Sequence, residues 1–334
     1  MSNFQPNPLQ IFKLIFSHLI SDYSLKRTPE PISFYNDIEK SLEYSKSQST
    51  NMMIPYAIAL NYIQRISTTE KINSALELCC GPGVFTQQLA KITKINHITA
   101  VDLSQTMLGL AKANCSSLTD HFDIQFKEMN ILNLTTELKQ KFNLITFLNG
   151  AHHLENLNDV KTVLQQAESL STEDGIIFVL DPVRPKSDKI ANYYINLFGK
   201  EYLVKGLNHF FNDFKDSMYA SWTPTEMGSS IPENTNKQWI QLIPFGFPAF
   251  QILIGIPKNR KQLFLRNDLS ISIFKDLLPS HTISDFNLLK TLFKIGLKVQ
   301  LNPNTYNELE QYHTPIKPSS IKTLKHSHID KVMS

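Results

Sequence analysis

Leu76-Glu77-Leu78-Cys79-Cys80-Gly81-Pro82-Gly83 joins a short apolar run to a glycine turn. About twenty residues later, a spacing typical of nucleoside-binding sheets, Ile98-Thr99-Ala100-Val101-Asp102 ends a second apolar run on a carboxylate. Between them lies a stretch with helical patterning. Strand, glycine turn, helix, strand and acid together describe a nucleoside site at the carboxyl ends of parallel strands. The glycines let the backbone approach the ligand, and the acid at the end of the second strand accepts hydrogen bonds from ribose hydroxyls.

The details of the turn select the ligand. A dinucleotide fingerprint requires a third glycine three positions after Gly83, and Thr86 stands there with bulky Phe85 beside it. NAD is therefore not expected. No Gly-Lys-Ser/Thr ending is present, so a triphosphate-binding loop is excluded as well. Glu77 would repel a pyrophosphate, yet it suits a ligand with positive charge. S-adenosylmethionine, with an ammonium and a sulfonium beside its ribose, meets that requirement.

On these residues the chain resembles the class I S-adenosylmethionine-dependent methyltransferases, in particular their small-molecule members. Their first motif is usually Asp/Glu-x-Gly-x-Gly-x-Gly, and Cys79 replaces its first glycine here. Ile98 to Leu108 is similar to the family's second strand, ribose-binding acid and following helix, with Leu103 and Met107 after Asp102. Phe126-Lys-Glu-Met-Asn130-Ile131 is similar to the third strand and its adenine-contacting loop, with Asn130 where Asp is usual. An Asn still reads an adenine edge, with a different donor and acceptor pairing. Phe142 to Leu154, containing Asn149-Gly150-Ala151-His152-His153, resembles the fourth strand and the loop beneath the transferred methyl. Gly175 to Pro182 resembles the fifth strand.

The resemblance thus implies a cofactor site of Glu77, Cys79, Gly81, Gly83, Asp102, Leu103, Met107, Asn130, Ile131, Asn149 and Gly150. It also makes His152 and His153 the candidates for a base acting on the acceptor. The implied fold is α/β, a doubly wound, mostly parallel sheet of seven-stranded type, preceded by helices and carrying a large helical insertion after the fifth strand.

Composition fits an intracellular, cytoplasmic enzyme. The 334 residues are 42% hydrophobic and 19% charged, enough to bury one substantial core and an appended subdomain. A net charge of +3 does not argue for nucleic acid or membrane binding. Three cysteines, Cys79 and Cys80 adjacent, form neither a disulfide framework nor a metal-ligand spacing. Ile11 to Ile20 is apolar at positions 11, 12, 15, 16 and 19, a helical stripe interrupted by Lys13 and His18, and it lacks the flanks of a secretion signal. No stretch has the length of a transmembrane span.

Four parts are expected: a helical cap over 1–70, a cofactor-binding core over 71–183 plus 285–305, a lid over 184–284, and a basic tail over 306–334. Tyr35, Tyr44 and Tyr56 are candidates for the cap's contact with the site. The lid's aromatic residues, Tyr219 and Trp222 among them, are expected to shape the acceptor pocket. Pro244 and Pro248 rule out one continuous helix between Ile240 and Ile256. The apolar run there, followed by Lys258, Arg260, Lys261 and Arg266, can alternatively meet a membrane surface or a protein partner.

The leading expectation is methyl transfer, by in-line displacement, to an oxygen or nitrogen of a small apolar or aromatic acceptor. A second is methylation of a protein side chain, with insertion and tail docking the partner. A third, a non-catalytic binding module, is opposed by the presence of Glu77, Gly81, Gly83 and Asp102. A nucleic-acid substrate is disfavoured because no Asn/Asp-Pro-Pro-Tyr motif follows the fourth strand.

Overall fold

The structure is a computed structural model that describes residues 6–31, 37–48, 52–67, 72–93, 95–259, 278 and 282–301. Three helices come first: α1 (Pro8–Ile20), α2 (Ile38–Gln48) and α3 (Met53–Ser67). The first begins on a capping box in which Asn7 Oδ1 accepts from Gln10 N and Gln10 Oε1 accepts from Asn7 N, with Pro8 at the first helical position. Strands and helices then alternate: β1 (Ser74–Leu78), α4 (Val84–Thr93), β2 (His97–Asp102), α5 (Gln105–Cys115), β3 (Asp123–Glu128), α6 (Leu134–Glu137), β4 (Phe142–Leu148), α7 (Leu157–Leu170) and β5 (Ser171–Pro182). After them come α8 (Asp188–Val204), α9 (Asn208–Ala220), α10 (Pro224–Ser229), β6 (Lys237–Ile243), β7 (Phe250–Pro257), α11 (Ile283–Ile295) and β8 (Leu297–Leu301).

The eight described strands form one mixed sheet in the order β3-β2-β1-β4-β5-β7-β6-β8. The pairs β3-β2, β2-β1, β1-β4 and β4-β5 are parallel, and β5-β7, β7-β6 and β6-β8 antiparallel. Strands β1 and β4 are near-continuous apolar runs because helices cover both faces, which a parallel sheet requires. One buried cluster packs α3, α4, α8 and α11 on one face, and a second packs α7 with Trp222, Met227 and Ile231 on the other. Chain order reverses between β1 and β4, so the crevice for a ligand opens at their carboxyl ends.

The sheet corrects the expected organisation in one respect. The second half of 184–284 is not part of a helical insertion: β6 and β7 form a hairpin inside the central sheet. Pro244 and Pro248 lie in its connection, where no ladder donor is needed. Trp239, Ile240, Leu242, Ile252, Leu253, Ile254 and Ile256 are all buried, so these strands are apolar on both faces and lack alternation. Such a run is not separable from a buried helix by periodicity. The antiparallel strand closing the parallel part of the sheet is therefore β7. The helix and strand near residue 285 form α11 and an additional edge strand, β8. Between β5 and β6, α8, α9 and α10 lie outside the sheet. Tyr35, Arg260, Lys261, Arg266 and the tail 306–334 lie outside the described residues. Among the described residues no helix is long and apolar enough to cross a membrane.

Candidate functional site

The end of β1 carries Glu77 into the interior, where it is 3% exposed and its Oε2 has no hydrogen-bond partner. Burial pushes its carboxyl up to about 8, and the nearby Asp102 carboxylate adds to the shift. The chain then turns through Cys79 at φ 54°, Gly81 at +53° and Gly83 at +72°. A side chain on Gly83 would also collide with α5, its Cβ falling 2.9 Å from that of Ala111. Thr86 and Phe85 are buried in the first turn of α4, which fills the space a dinucleotide's third glycine would leave open.

Asp102 ends β2 and faces the turn. Its Oδ2 accepts from Gly81 N at 2.8 Å and its Oδ1 from Ser104 N at 2.9 Å. Two of roughly four lone-pair positions are thereby used, leaving room for ribose hydroxyls. Burial raises its pKa above the ordinary carboxylate value. Leu103 follows at 67% exposure, while Met107 is buried within α5 behind the Ser104 cap. Asn130 is exposed, with its Oδ1 accepting from Leu132 N at 2.9 Å to cap a single helical turn that begins at buried Ile131.

The loop after β4 closes the crevice from the other side. Asn149, at φ 50°, is the second described non-glycine residue with left-handed backbone, and its buried amide has no hydrogen-bond partner. Gly150 permits the approach of this loop to the turn, since a Cβ there would lie 3.0 Å from that of Cys79. Left-handed backbone at Cys79 and Asn149 costs on the order of 1–3 kcal/mol each. The two strained residues stand on neighbouring strands at the mouth of the same crevice. Helix α2 lies above the turn: Gln48 and Tyr44 approach to 4.0 Å of where a Gly81 Cβ would be. Tyr56, on α3, is buried beside Phe85 and close enough to Glu77 for that charge to raise its pKa, after burial itself.

His152 and His153 come next on the same loop, rings 4.1 Å apart. His152 is buried, with Nδ1 2.9 Å from Asp181 Oδ1, at the end of β5, and Nε2 3.7 Å from Glu30 Oε1. His153 Nδ1 lies 2.5 Å from Glu30 Oε2. Burial opposes its charge, but the Glu30 carboxylate outweighs that and holds its pKa up at about 9. Glu30, despite its own burial, is pulled down to about 2 by the two imidazoles and the Ser217 hydroxyl, which donates to its Oε1 at 2.6 Å. Asp213, also on α9, is driven well above the carboxylate range by burial and by Glu30.

An extended segment, residues 21–31, delivers Glu30. Ser24 N and Leu25 N donate to Lys186 O, and Thr28 N to Tyr219 O. Arg27 donates to the carbonyls of His152, Leu154, Glu155 and Ala220, and lies 3.7 Å over the Trp222 ring. Trp222 Nε1 in turn donates to Ala151 O. Trp222 is thus a buried strut under the histidine loop.

Sequence reasoning did not single out Glu30, Asp181, Asp213 or Ser217 as site residues. Asp181 carried a usable signal: like Val101-Asp102, it ends an apolar strand on an acid. Glu30, in Arg27-Thr28-Pro29-Glu30-Pro31, carries no periodic pattern. The buried, unpartnered Glu77 oxygen and Asn149 amide in one crevice suit a ligand that brings a cation and hydrogen-bonding groups.

Residues 75–175 match the model of a methyltransferase domain. The chain is 24% identical over 174 residues to a ubiquinone biosynthesis O-methyltransferase of Pseudomonas entomophila, which covers 52% of this chain and 67% of that protein. It is 29% identical over 196 residues to a demethylmenaquinone methyltransferase of Lactobacillus johnsonii, covering 56% and 77%. A solved structure of the plantazolicin methyltransferase BpumL in complex with SAH superposes with a TM-score of 0.50 at 13% identity, over 75% of this chain and 98% of that one, a likeness of fold alone.

Proposed function

We propose, from the premise that the chain belongs to the S-adenosylmethionine-dependent methyltransferases, that it methylates an oxygen or nitrogen of a small aromatic acceptor. When bound, S-adenosylmethionine supplies a methyl group already activated on a sulfonium. The protein's task is then to hold the cofactor, exclude water, align the acceptor and manage a proton. Glu77 is proposed to face the cofactor's positive charge, Asp102 its ribose, and Asn149 with Gly150 the edge nearest the transferred methyl. Leu103, Asn130 and Ile131 border the adenine end in this reading. Met107 supports the site from beneath rather than touching the nucleoside.

The observation that carries an oxygen or nitrogen acceptor is the largely buried cluster of two imidazoles and three carboxyl groups on the loop after β4 and the elements packed against it. Methylating a hydroxyl or a protonated nitrogen releases a proton, which this cluster could receive. Asp181 pins His152 through Nδ1 and so presents Nε2, while Glu30 keeps His153 as an imidazolium near neutral pH. His152 is therefore the better placed of the two to receive an acceptor proton. The names of the relatives point to quinone-type rings, and a hydroxylated aromatic is the acceptor class we assign. Helices α8 and α9 are the proposed lid: α9 contributes Asp213 and Ser217 to the cluster, and Phe210 N donates to Glu43 Oε1 of α2 at 2.7 Å.

S-adenosylmethionine and its demethylated product are expected to raise the melting temperature of the purified protein, and NAD to leave it unchanged. Stabilisation by NAD alone would overturn the cofactor assignment. Methyl transfer to a panel of phenols and hydroquinones, read by mass spectrometry, then tests the acceptor class. Transfer only to a polypeptide would replace it with side-chain methylation.

Affinity for S-adenosylmethionine is expected to rise with pH through about 8, because the cationic ligand requires ionised Glu77. The free protein should respond in the opposite direction. A carboxyl with a folded pKa above its unfolded value contributes stability below about 4.5, and that contribution is lost as pH rises through about 8. Calorimetry across this range, with Glu77→Gln as the variant in which the pH dependence disappears, checks both signs.

A further inference from the structure

We infer that Glu30, His152 and His153 form a binding site for one first-row divalent cation of the zinc class. Sequence spacing could not indicate it, because Glu30 and His153 are 123 residues apart. One ligand atom from each residue lies within 4.8 Å of the others. The Glu30 oxygens are 3.7 Å from His152 Nε2 and 2.5 Å from His153 Nδ1. Adjacent ligands on a tetrahedral ion with bonds of about 2.0–2.2 Å stand about 3.3 Å apart, a value bracketed by the two Glu30 separations. Two imidazoles and one carboxylate suit zinc, cobalt or iron rather than magnesium or calcium, which prefer all-oxygen sets.

A second shell is already in place. Asp181 fixes His152 through Nδ1, the arrangement that orients a metal-bound imidazole, and it is fully buried with no hydrogen-bond partner for its Oδ2. The Ser217 hydroxyl fixes Glu30 Oε1. Glu30, Asp181 and Asp213 also place three carboxyl groups around two imidazoles in the interior. Three protein ligands leave a fourth position open, as in catalytic rather than structural sites. Under the methyl-transfer reading, on which only this last role rests, that position takes the acceptor's oxygen, and the ion, in place of the free His152 Nε2, would then favour loss of the acceptor's proton to solvent.

The test uses the full chain, stripped with a chelator and titrated with Zn²⁺ or Co²⁺ by calorimetry and, for Co²⁺, by visible absorption. One equivalent should bind, with the strong absorption of a low-symmetry, nitrogen-ligated cobalt site. Glu30→Gln and His153→Asn should abolish stoichiometric binding, and Asp181→Asn should weaken it about 10–100-fold. His97→Ala, on an exposed histidine paired with Asp123, should leave binding unchanged. Folding of each variant is read from its circular dichroism and cooperative thermal unfolding. If Glu30→Gln does not fold, His153→Asn and the wild-type cobalt spectrum still decide. Absence of binding by the wild type, or retention by folded Glu30→Gln or His153→Asn, would overturn the site. Failure of S-adenosylmethionine to bind would instead overturn the methyltransferase reading, without bearing on the metal titration.

Discussion

Asp102→Ala should weaken S-adenosylmethionine binding by about one to two orders of magnitude, since hydrogen bonds to a charged group contribute roughly 1.5–3 kcal/mol. The loss has two sources. One is the removal of the carboxylate proposed to accept from the ribose. The other is local: Gly81 N and Ser104 N both donate to this side chain, so the alanine variant also loosens the turn on which the ligand would rest. Asp102→Asn separates the two effects. It retains one acceptor for the turn and should fall between wild type and alanine. Calorimetric titration of folded protein measures all three, and an unchanged affinity in the alanine variant would mean that Asp102 is not the ribose acid.

Trp222→Ala should destabilise the whole protein by about 3–5 kcal/mol, the usual cost of truncating a large buried aromatic. Its ring is 5% exposed, Arg27 lies across one face, and its Nε1 donates to Ala151 O under the histidine loop. The substitution would open a cavity, strand a buried carbonyl and remove the surface on which Arg27 rests. Thermal unfolding should show a drop of several degrees. Any loss of turnover would then follow from displacement of His152 and His153 rather than from a missing acceptor contact. Tyr219 behaves differently: it is half-buried, its hydroxyl donates to Asp188, and Tyr219→Phe should cost little. A Trp222→Ala protein with unchanged melting temperature would show that the residue is not the strut described here.

The proposed nucleoside half of the site rests on residues 76–102. Its chemistry is local there: strand, turn and acid are close in sequence, and each residue type has one strong physical reason for its place. The absence of a third glycine, filled by buried Thr86, was equally legible. The β6-β7 hairpin was not, because strands buried on both faces lose the alternation that identifies them, and the two prolines excluded a helix without indicating a turn. The burial of Trp222 was not legible for a related reason, since an aromatic residue reads the same in sequence whether it faces a pocket or a core.

The sequence alone determined the α/β class and the succession of the first five strands. The apolar runs around the glycine turn carried the first two strands, because strand, turn and acid are local there, and the family resemblance carried the other three. Tertiary structure alone decided that Glu30, His152, His153, Asp181 and Asp213 share one buried cluster, and that the sheet continues through β7, β6 and β8. The reason is long-range packing. An extended segment with no periodic pattern carries Glu30 across 123 residues of chain to His153, held there by Arg27 and by backbone hydrogen bonds to Lys186 and Tyr219. No local rule encodes such a contact, because its energy comes from surfaces that meet only when the sheet and its helices have assembled.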